Sequence, residues 1–284
     1  MLLEIAIGDA YGAGFEFSDA AKISRLNDGL RYSAHDLGEI APGRYTDDTQ
    51  MSIAVAEAML SGRSLDEATF AQAFVDAFLR DPRAGYAKGF QTLLADCRNG
   101  ADLRDRIRAD STRNGAAMRA VPLGLLSDED LVSVAAIANA RVTHDTAEGI
   151  LSSRCIALAA HGLVYGKARL ETLEDFLAPH VGISWPTEAE GPVECDGLQT
   201  VQAALSILCA HRSMASLLKS CVALGGDTDS TAAISLGLAS LSTEYSNDLP
   251  ASLHSALENG AYGRDFLRSL DERIQARLHV RTPG

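Results

Sequence analysis

The segment GRYTDDTQMSIAVAEAML, residues 43–60, places an acidic polar cluster directly before a long apolar run. Thr46 is a suitable N-cap, because its hydroxyl can accept a hydrogen bond from a free first-turn amide. Asp47 and Asp48 then fall in the first turn, where the positive end of the helix dipole stabilises carboxylates. The segment therefore predicts an α-helix, and capping explains its two carboxylates about as well as catalytic chemistry does.

A second segment, LGGDTDSTAAISLGLA at residues 224–239, repeats this design. Asp227 and Asp229 alternate with Thr228, Ser230 and Thr231, and another apolar helix is expected to follow. A helix cap needs one polar oxygen, so this cluster holds more oxygens than capping requires. If the two helix N-termini converge, they form one site built from carboxylates and hydroxyls.

Such a site would suit divalent cations. Hard cations such as Mg²⁺, Mn²⁺ and Ca²⁺ prefer oxygen ligands. The carboxylates of the two segments supply enough negative charge for two ions, and without ions they would repel one another. Zinc is less expected, because no histidine or cysteine accompanies the two segments.

The rest of the chain predicts an all-α protein. Of its 284 residues, 46% are hydrophobic and 6% are aromatic, a composition that favours helices over a β-sandwich. Most segments show apolar residues at helical spacing. One of them begins with an expected capping box between Ser64 and Glu67. Residues 15–45 and 179–196 are expected loops, and residues 1–284 are expected to form a single domain.

Charge and cysteine content exclude several classes of protein. The formal net charge is −13 and no run of Lys or Arg offsets it, so a nucleic-acid-binding surface is not expected. The five cysteines form no CxxC motif or Cys/His cluster, which favours a reducing, cytoplasmic compartment. The N-terminal apolar run does not match a signal peptide, and no apolar stretch reaches the ~20 residues of a membrane span.

The N-terminal segment GDAYGAGFEF, residues 8–17, combines glycines with carboxylates. Gly8 and Gly12 have a spacing that is common in close helix packing, which is the favoured explanation for them. Asp9 and Glu16 add carboxylates near the expected end of a helix. Taken alone, this segment is a weak indication of a site.

Five motifs occur in order along the chain: GDAYGAGFEF, GRYTDDTQMSIAVAEAML, RNGAAMRAVPLG, VTHDTAEGI and GGDTDSTAAI. In this combination the sequence resembles the ADP-ribosylglycohydrolase family, which includes the dinitrogenase reductase-activating glycohydrolase and the ADP-ribosylarginine hydrolases. The resemblance extends from about residue 4 to residue 240. It implies an all-α, orthogonal helical domain with a binuclear Mg²⁺ or Mn²⁺ centre at helix N-termini.

The resemblance also implies roles for individual residues. The implied metal ligands are Thr46, Asp47, Asp48, Asp227, Asp229 and Ser230. The implied substrate-binding positions, around the diphosphate and ribose of ADP-ribose, are Ser111, Asn114, Gly115, Met118 and His144. Glu16 matches a family glutamate near the scissile bond, so it is a candidate general base, with Asp47 or Asp229 as the alternative. Thr112 and Arg113 depart from the small or aromatic residues usual in the family.

By resemblance, the expected reaction is metal-dependent hydrolysis of the bond between ADP-ribose and an acceptor. The acceptor is expected to be a protein side chain such as arginine, or a small conjugate, and the transition state to have oxocarbenium character. One alternative is a protein of the same fold that binds ADP-ribose or a nucleotide without turnover. A less favoured alternative is a Mg²⁺-dependent enzyme of the isoprenoid-synthase type, because DDTQM lacks the later aspartate of a DDxxD motif.

Overall fold

The computed structural model describes residues 1–36, 38 and 40–278, and its regular structure is helical. Within these residues no β-strand forms, and extended segments meet only in isolated bridges, so the all-α prediction is confirmed. Short 3₁₀ helices occupy Val121–Leu125 and Leu170–Thr172. The α-helices are α1 (Leu2–Gly12), α2 (Ala20–Leu26), α3 (Asp47–Leu60), α4 (Glu67–Arg80), α5 (Lys88–Asp96), α6 (Gly100–Arg106), α7 (Gly115–Met118), α8 (Glu129–Arg141), α9 (Ala147–Val164), α10 (Leu173–Val181), α11 (Gly197–Ala210), α12 (Met214–Ala223), α13 (Thr228–Ala239), α14 (Ala251–Ala256) and α15 (Arg264–Leu278).

Helix α1 packs along α13, and both helices are buried over their whole length. A Cβ atom on Gly8 would lie 2.4 Å from the carbonyl oxygen of Ala232, and one on Gly12 would lie 2.4 Å from that of Thr228. Because only glycine permits this approach of two backbones, helix packing is confirmed as the explanation of the glycine spacing. The contact brings Gly12 and the turn after it beside the N-terminus of α13.

Two further helices extend the core around this pair. Helix α3 contacts α1, α4 and α15, whereas α9 contacts α7, α8, α10 and α11. Buried side chains of all these helices belong to one hydrophobic cluster. The single-domain organisation of residues 1–284 stays a prediction, and residues 37, 39 and 279–284 lie outside the described part of the chain.

Some local predictions need correction. Helix α4 begins at Glu67 rather than next to Ser64, because the Asp66 carboxylate accepts a hydrogen bond from a first-turn amide and caps the helix. Helix α2 lies within the loop expected at residues 15–45, and α10 extends to Val181, into the second expected loop. These corrections move helix boundaries and leave the helical class unchanged.

Polar helix termini meet at one end of the buried core. The N-termini of α3, α7 and α13 and the segment before α9 surround a cavity there. Each terminus is the start of a helix whose apolar residues are held in the core, so the packing of the helices fixes the positions of the polar residues.

In the described ranges, no helix combines the length and hydrophobicity that crossing a membrane requires.

Candidate active site

A cavity of about 350 Å³ contains the predicted site, a volume typical of small-ligand pockets. All predicted site residues except Thr46 line it: Glu16, Asp47, Asp48, Ser111, Asn114, Gly115, Met118, His144, Asp227, Asp229 and Ser230. The two helix N-termini expected to converge therefore do so. Below, the acidic wall means the side chains of Glu16, Asp47, Asp48, Asp227 and Asp229.

The N-cap of α3 is Thr46, as predicted, but its hydroxyl does not cap the helix. Instead, Thr46 Oγ1 donates to Asp9 Oδ1 at 2.8 Å. The Asp9 carboxylate also accepts from the Thr46 amide at 2.9 Å, and from the amide and hydroxyl of Thr49 at 3.0 and 2.6 Å. The capping role predicted for the Thr46 hydroxyl is therefore wrong, because a fully buried carboxylate on α1 takes that role.

The N-terminus of α13 is held against the segment around Val193. Gly225 and Gly226 have φ angles of +73° and +79°, and a Cβ atom on Gly226 would lie 2.0 Å from the Val193 carbonyl oxygen. The Asp227 amide donates to that same oxygen at 2.7 Å. Backbone conformation therefore favours glycine at both positions, and close approach requires it at Gly226 as well, so that Asp227 is placed at the cavity.

The hydroxyls of this segment have different roles. Thr228 Oγ1 donates to the Gly12 carbonyl oxygen at 2.8 Å, and Thr231 Oγ1 donates to the Asp227 carbonyl oxygen at 2.8 Å. Ser230, in contrast, lines the cavity. The hydroxyls of Thr228 and Thr231 therefore stabilise the nearby backbone, and Ser230 supplies the hydroxyl at the site.

The acidic wall is crowded and largely buried. Burial raises the pKa values of Asp47, Asp48 and Asp229 well above their usual range, and neighbouring carboxylates raise them further. After burial, the neighbouring carboxylate that raises the pKa most is Asp9 for Asp47, Asp47 for Asp48, and Glu16 for Asp229. A cationic ligand would relieve this repulsion.

One carboxylate oxygen of the acidic wall has no protein partner. Asp48 Oδ1 is buried and accepts no hydrogen bond from the described residues. Among those residues, no group of three or more carboxylate, imidazole or thiol side chains is already arranged as a metal cage. The cavity thus offers oxygen donors on its wall, including the hydroxyl of Ser230, rather than a closed coordination shell.

The loop before α7 is tied to the acidic wall. Asn114 Nδ2 donates to Asp227 Oδ2 at 2.9 Å and to Thr200 Oγ1 at 3.1 Å. A Cβ atom on Gly115 would lie 2.9 Å from Cε1 of His144, so the imidazole occupies the space above this glycine. The segments predicted to bind substrate are therefore in contact with one another and with the predicted metal ligands.

A hydrogen-bond chain sets the tautomer of His144. Arg119 Nη2 donates to Thr143 Oγ1 at 2.7 Å, and this hydroxyl lies 2.6 Å from His144 Nδ1. The Thr143 oxygen can accept two hydrogen bonds, but its own proton has no acceptor other than Nδ1 among the described residues. We therefore assign that proton to the bond with Nδ1, which leaves the imidazole proton on Nε2. Burial, and then the Arg119 charge, lower the pKa of His144 to about 3. His144 is therefore a neutral donor at the cavity.

The segment at residues 81–90 supplies further lining residues. A Cβ atom on Gly85 would lie 2.0 Å from Asp47 Oδ1, so this glycine lets the loop pass directly over the acidic wall. Tyr86 and Phe90 line the cavity beside it. In the sequence, this segment is marked only by a glycine before a tyrosine, Gly85 and Tyr86. That pair does not reveal that the loop contacts Asp47.

Other lining residues were also missed by the sequence argument. Phe17, Arg108 and Cys195 contribute to the cavity surface, and so does Arg113, which the sequence had marked as a departure from the family pattern. Burial, and then the charge of Asp227, raise the pKa of the Cys195 thiol to about 12. This thiol stays protonated at neutral pH, so it is not an activated nucleophile.

A family model described as ADP-ribosylglycohydrolase matches residues 1–283. The chain belongs to the ADP-ribosylglycohydrolase family. The resemblance inferred from five short motifs is thereby confirmed over almost the whole chain. Membership favours a glycohydrolase over the isoprenoid-synthase alternative.

Individual members of the ADP-ribosylglycohydrolase family match to different extents. ADP-ribosylhydrolase ARH3 of Gallus gallus is 31% identical over 195 residues, covering 62% of this chain and 52% of that protein. The ADP-ribosyl-[dinitrogen reductase] glycohydrolase of Rhodospirillum rubrum is 27% identical over 275 residues, covering 90% of this chain and 88% of that protein. The match to the ARH3 protein thus spans about half of that relative's length.

A solved structure shares the fold. It is described as an ADP-ribosylglycohydrolase-related protein complex, and it aligns with a TM-score of 0.75 at 23% identity. The alignment covers 97% of this chain and 95% of that chain. The helical architecture of this chain is therefore that of an ADP-ribosylglycohydrolase.

Proposed function

We propose that this protein is a metal-dependent ADP-ribosyl hydrolase. It would cleave the glycosidic bond between ADP-ribose and an acceptor, foremost a mono-ADP-ribosylated protein side chain such as arginine, and release ADP-ribose. The observation that supports this most directly is one cavity in which the acidic wall meets the loop at Asn114 and the neutral donor His144. Family membership and the names of the ARH3 and Rhodospirillum rubrum relatives agree with it.

The donor set fits two divalent cations, Mg²⁺ or Mn²⁺. The proposed ligands are oxygens of Asp47, Asp48, Asp227, Asp229 and Ser230 on the cavity surface. Thr46 is also proposed, because its hydroxyl, although it donates to Asp9, keeps lone pairs for a cation. The partnerless oxygen of Asp48 is the observation behind this assignment, since a buried carboxylate oxygen normally has a partner. Bound cations would act as Lewis acids and lower the pKa of coordinated water or hydroxyl groups.

The part of the cavity formed by the loop at Asn114 and by His144 would bind the anionic part of the substrate. A neutral imidazole whose Nε2 carries a proton can donate to a phosphate oxygen, and His144 is held in that form by Thr143. Ser111 and the loop at Gly115 add small polar groups beside it, with Met118 as an apolar contact. The Asn114–Asp227 hydrogen bond fixes the distance between this end and the acidic wall.

The proton transfer would be carried out by a carboxylate of the acidic wall. Hydrolysis through an oxocarbenium-like transition state requires a base that accepts a proton from the attacking water. We assign this role to Glu16, which lines the cavity and whose charge reaches Asp229. Asp47 and Asp229 are the alternatives. The Cys195 thiol is protonated, and no isolated nucleophile is evident among the other described residues of the cavity, which favours direct attack by water.

The assay for this function is ADP-ribose release from a panel of defined conjugates, with and without Mg²⁺ or Mn²⁺. We expect release from at least one conjugate, dependent on the cation, and a loss of about 100-fold or more in Asp47→Asn and Asp229→Asn. Asp105→Asn removes an exposed carboxylate and should retain full activity. The cation should also raise the melting temperature of the wild type and not of the two site variants.

The alternative of a binding protein without turnover predicts a different outcome. Tight ADP-ribose binding with no release from any conjugate would refute the hydrolase proposal and favour that alternative. Retained turnover in both site variants would refute the residue assignments while leaving the activity in place.

We further propose a reducing cytoplasmic location, because all five cysteines are free thiols.

A further inference from the structure

The turn after α1 holds Phe17 in an unusual conformation. Its φ angle is +47°, and no other non-glycine residue in the described ranges has a positive φ. A residue with a Cβ atom is strained in this left-handed region. The Phe17 amide donates to the Gly226 carbonyl oxygen at 2.8 Å, next to Asp227, and this bond holds the turn against the start of α13.

The strained turn directs an aromatic ring to the cavity. The Phe17 side chain is 54% exposed and lines the cavity beside Glu16. The other large apolar side chains that are exposed, Leu30, Leu79, Leu131 and Val134, do not line it. Folding gains little from such a ring, because exposure forfeits most of its burial free energy. Strain and exposure at one residue of a cavity are the features expected of a ligand contact.

The neighbours of the ring define the chemistry of that ligand. An aromatic face attracts a planar cation, most often a guanidinium, and an adjacent carboxylate can pair with the same group. Glu16 precedes Phe17 directly in the chain and lines the same cavity, and it is the one carboxylate of the acidic wall that is not a proposed cation ligand. A neutral hydroxyl leaving group would gain neither the stacking nor the ion pair.

We propose that Phe17 and Glu16 form the acceptor subsite of this protein and that Phe17 selects a guanidinium acceptor, the side chain of ADP-ribosylated arginine. This inference rests on the proposed hydrolase function. In the reaction the bond between the anomeric carbon and the guanidinium nitrogen breaks, and the carbon gains the hydroxyl of water. The proton of that water passes through Glu16 to the departing nitrogen, so that ADP-ribose and arginine are released.

The test compares variants of Phe17 on two substrates, ADP-ribosyl-arginine and an ADP-ribosyl-serine peptide. Phe17→Ala keeps the Cβ atom and hence the strained backbone, so it removes only the ring. We expect an approximately tenfold lower kcat/KM for the arginine conjugate, equivalent to about 1.4 kcal/mol, and less than about twofold change for serine. Phe17→Tyr should restore the arginine activity, whereas Phe17→Leu, which lacks a π face, should not.

Leu131→Ala serves as the matched control, because Leu131 is an exposed apolar residue away from the cavity. It should leave both activities unchanged. Free agmatine, a guanidinium compound, should inhibit the wild type about tenfold more strongly than Phe17→Ala. Thermal melting of each variant shows whether it is folded.

The outcomes of this test distinguish failure of the acceptor subsite from failure of the proposed hydrolase function. Hydrolysis of the arginine conjugate that is equal in the wild type and Phe17→Ala refutes the acceptor subsite alone. Equal losses on both conjugates also refute it, because the ring would then act on the reaction in general. A wild type that cleaves only the serine conjugate upholds hydrolysis and refutes guanidinium selection, and one that cleaves neither conjugate refutes both proposals.

Discussion

The contact between α1 and α13 allows stability and catalysis to be perturbed separately. Gly12→Ala would place a Cβ atom 2.4 Å from the Thr228 carbonyl oxygen and 2.5 Å from the Asp229 Cα. Ordinary contact begins at 3.4 Å, so the two backbones must separate by about 1 Å. Gly8→Ala creates a similar overlap, 2.4 Å from the Ala232 carbonyl oxygen, but one turn farther into α13.

The two substitutions should cost similar amounts of stability. Overpacking a buried contact destabilises by about 1–3 kcal/mol, and replacing a helical glycine by alanine recovers up to about 1 kcal/mol. We therefore expect a net loss of about 0–3 kcal/mol in the free energy of unfolding for each variant. Activity should differ, because Gly12 contacts the turn that carries Asp229, and a shift of about 1 Å in a catalytic site can cost about 100-fold in rate.

Two measurements on the same preparations check this expectation. Urea unfolding gives the stability of each variant, and ADP-ribose release from its best conjugate gives kcat/KM. Gly12→Ala should lose on the order of 100-fold in kcat/KM and Gly8→Ala less than about tenfold, at similar stability. If both variants lose activity in proportion to stability, the position of the α13 terminus is not the controlling factor, and the reasoning fails.

Two further predictions concern individual buried side chains. Asp9→Asn should lower the free energy of unfolding by about 2 kcal/mol or more, because an amide group replaces an oxygen that accepts buried hydrogen bonds. The control Asp66→Asn should change it by less than about 0.5 kcal/mol, since Asn caps helices as well as Asp does. A smaller loss in Asp9→Asn than in Asp66→Asn, measured by urea unfolding, would contradict the distant cap. His144 has a folded pKa of about 3, below its unfolded value of 6.5, so its contribution to stability is present above pH 6.5 and is lost as the pH falls towards 3. Between pH 7 and 5, His144→Gln should therefore lose about 2 kcal/mol less stability than the wild type, and parallel pH curves in urea unfolding would exclude a buried neutral imidazole.

Sequence reasoning worked best where the determinants were local. The starts of α3 and α13 follow from acidic, hydroxyl-rich residues placed before apolar runs, a pattern that helix geometry requires. The positions of the site residues at one cavity followed from the family resemblance combined with those two helix starts. Both inferences depend on short motifs whose order is preserved along the chain.

Sequence reasoning failed where a contact with a residue far away in the sequence determines the local structure. The cap of α3 comes from Asp9, 37 residues earlier in the chain, so no pattern near Thr46 could reveal it. Gly85 is required because its loop crosses Asp47, and the conformation of Phe17 depends on a bond to Gly226. In each case the partner is set by helix packing, which a single sequence does not specify.

Hydrogen-bond partners separate two kinds of aspartate that look alike in the sequence. Asp9 is fully buried, and amides and hydroxyls at the start of α3 donate to both of its oxygens, so it has no remaining need for a ligand. Asp48 is equally inaccessible, yet its Oδ1 has no partner in the described chain. A buried carboxylate that the protein leaves unsatisfied costs stability unless something else supplies the missing interaction. The position of Asp48 on the cavity wall therefore points to a ligand role, whereas Asp9 on α1 is structural.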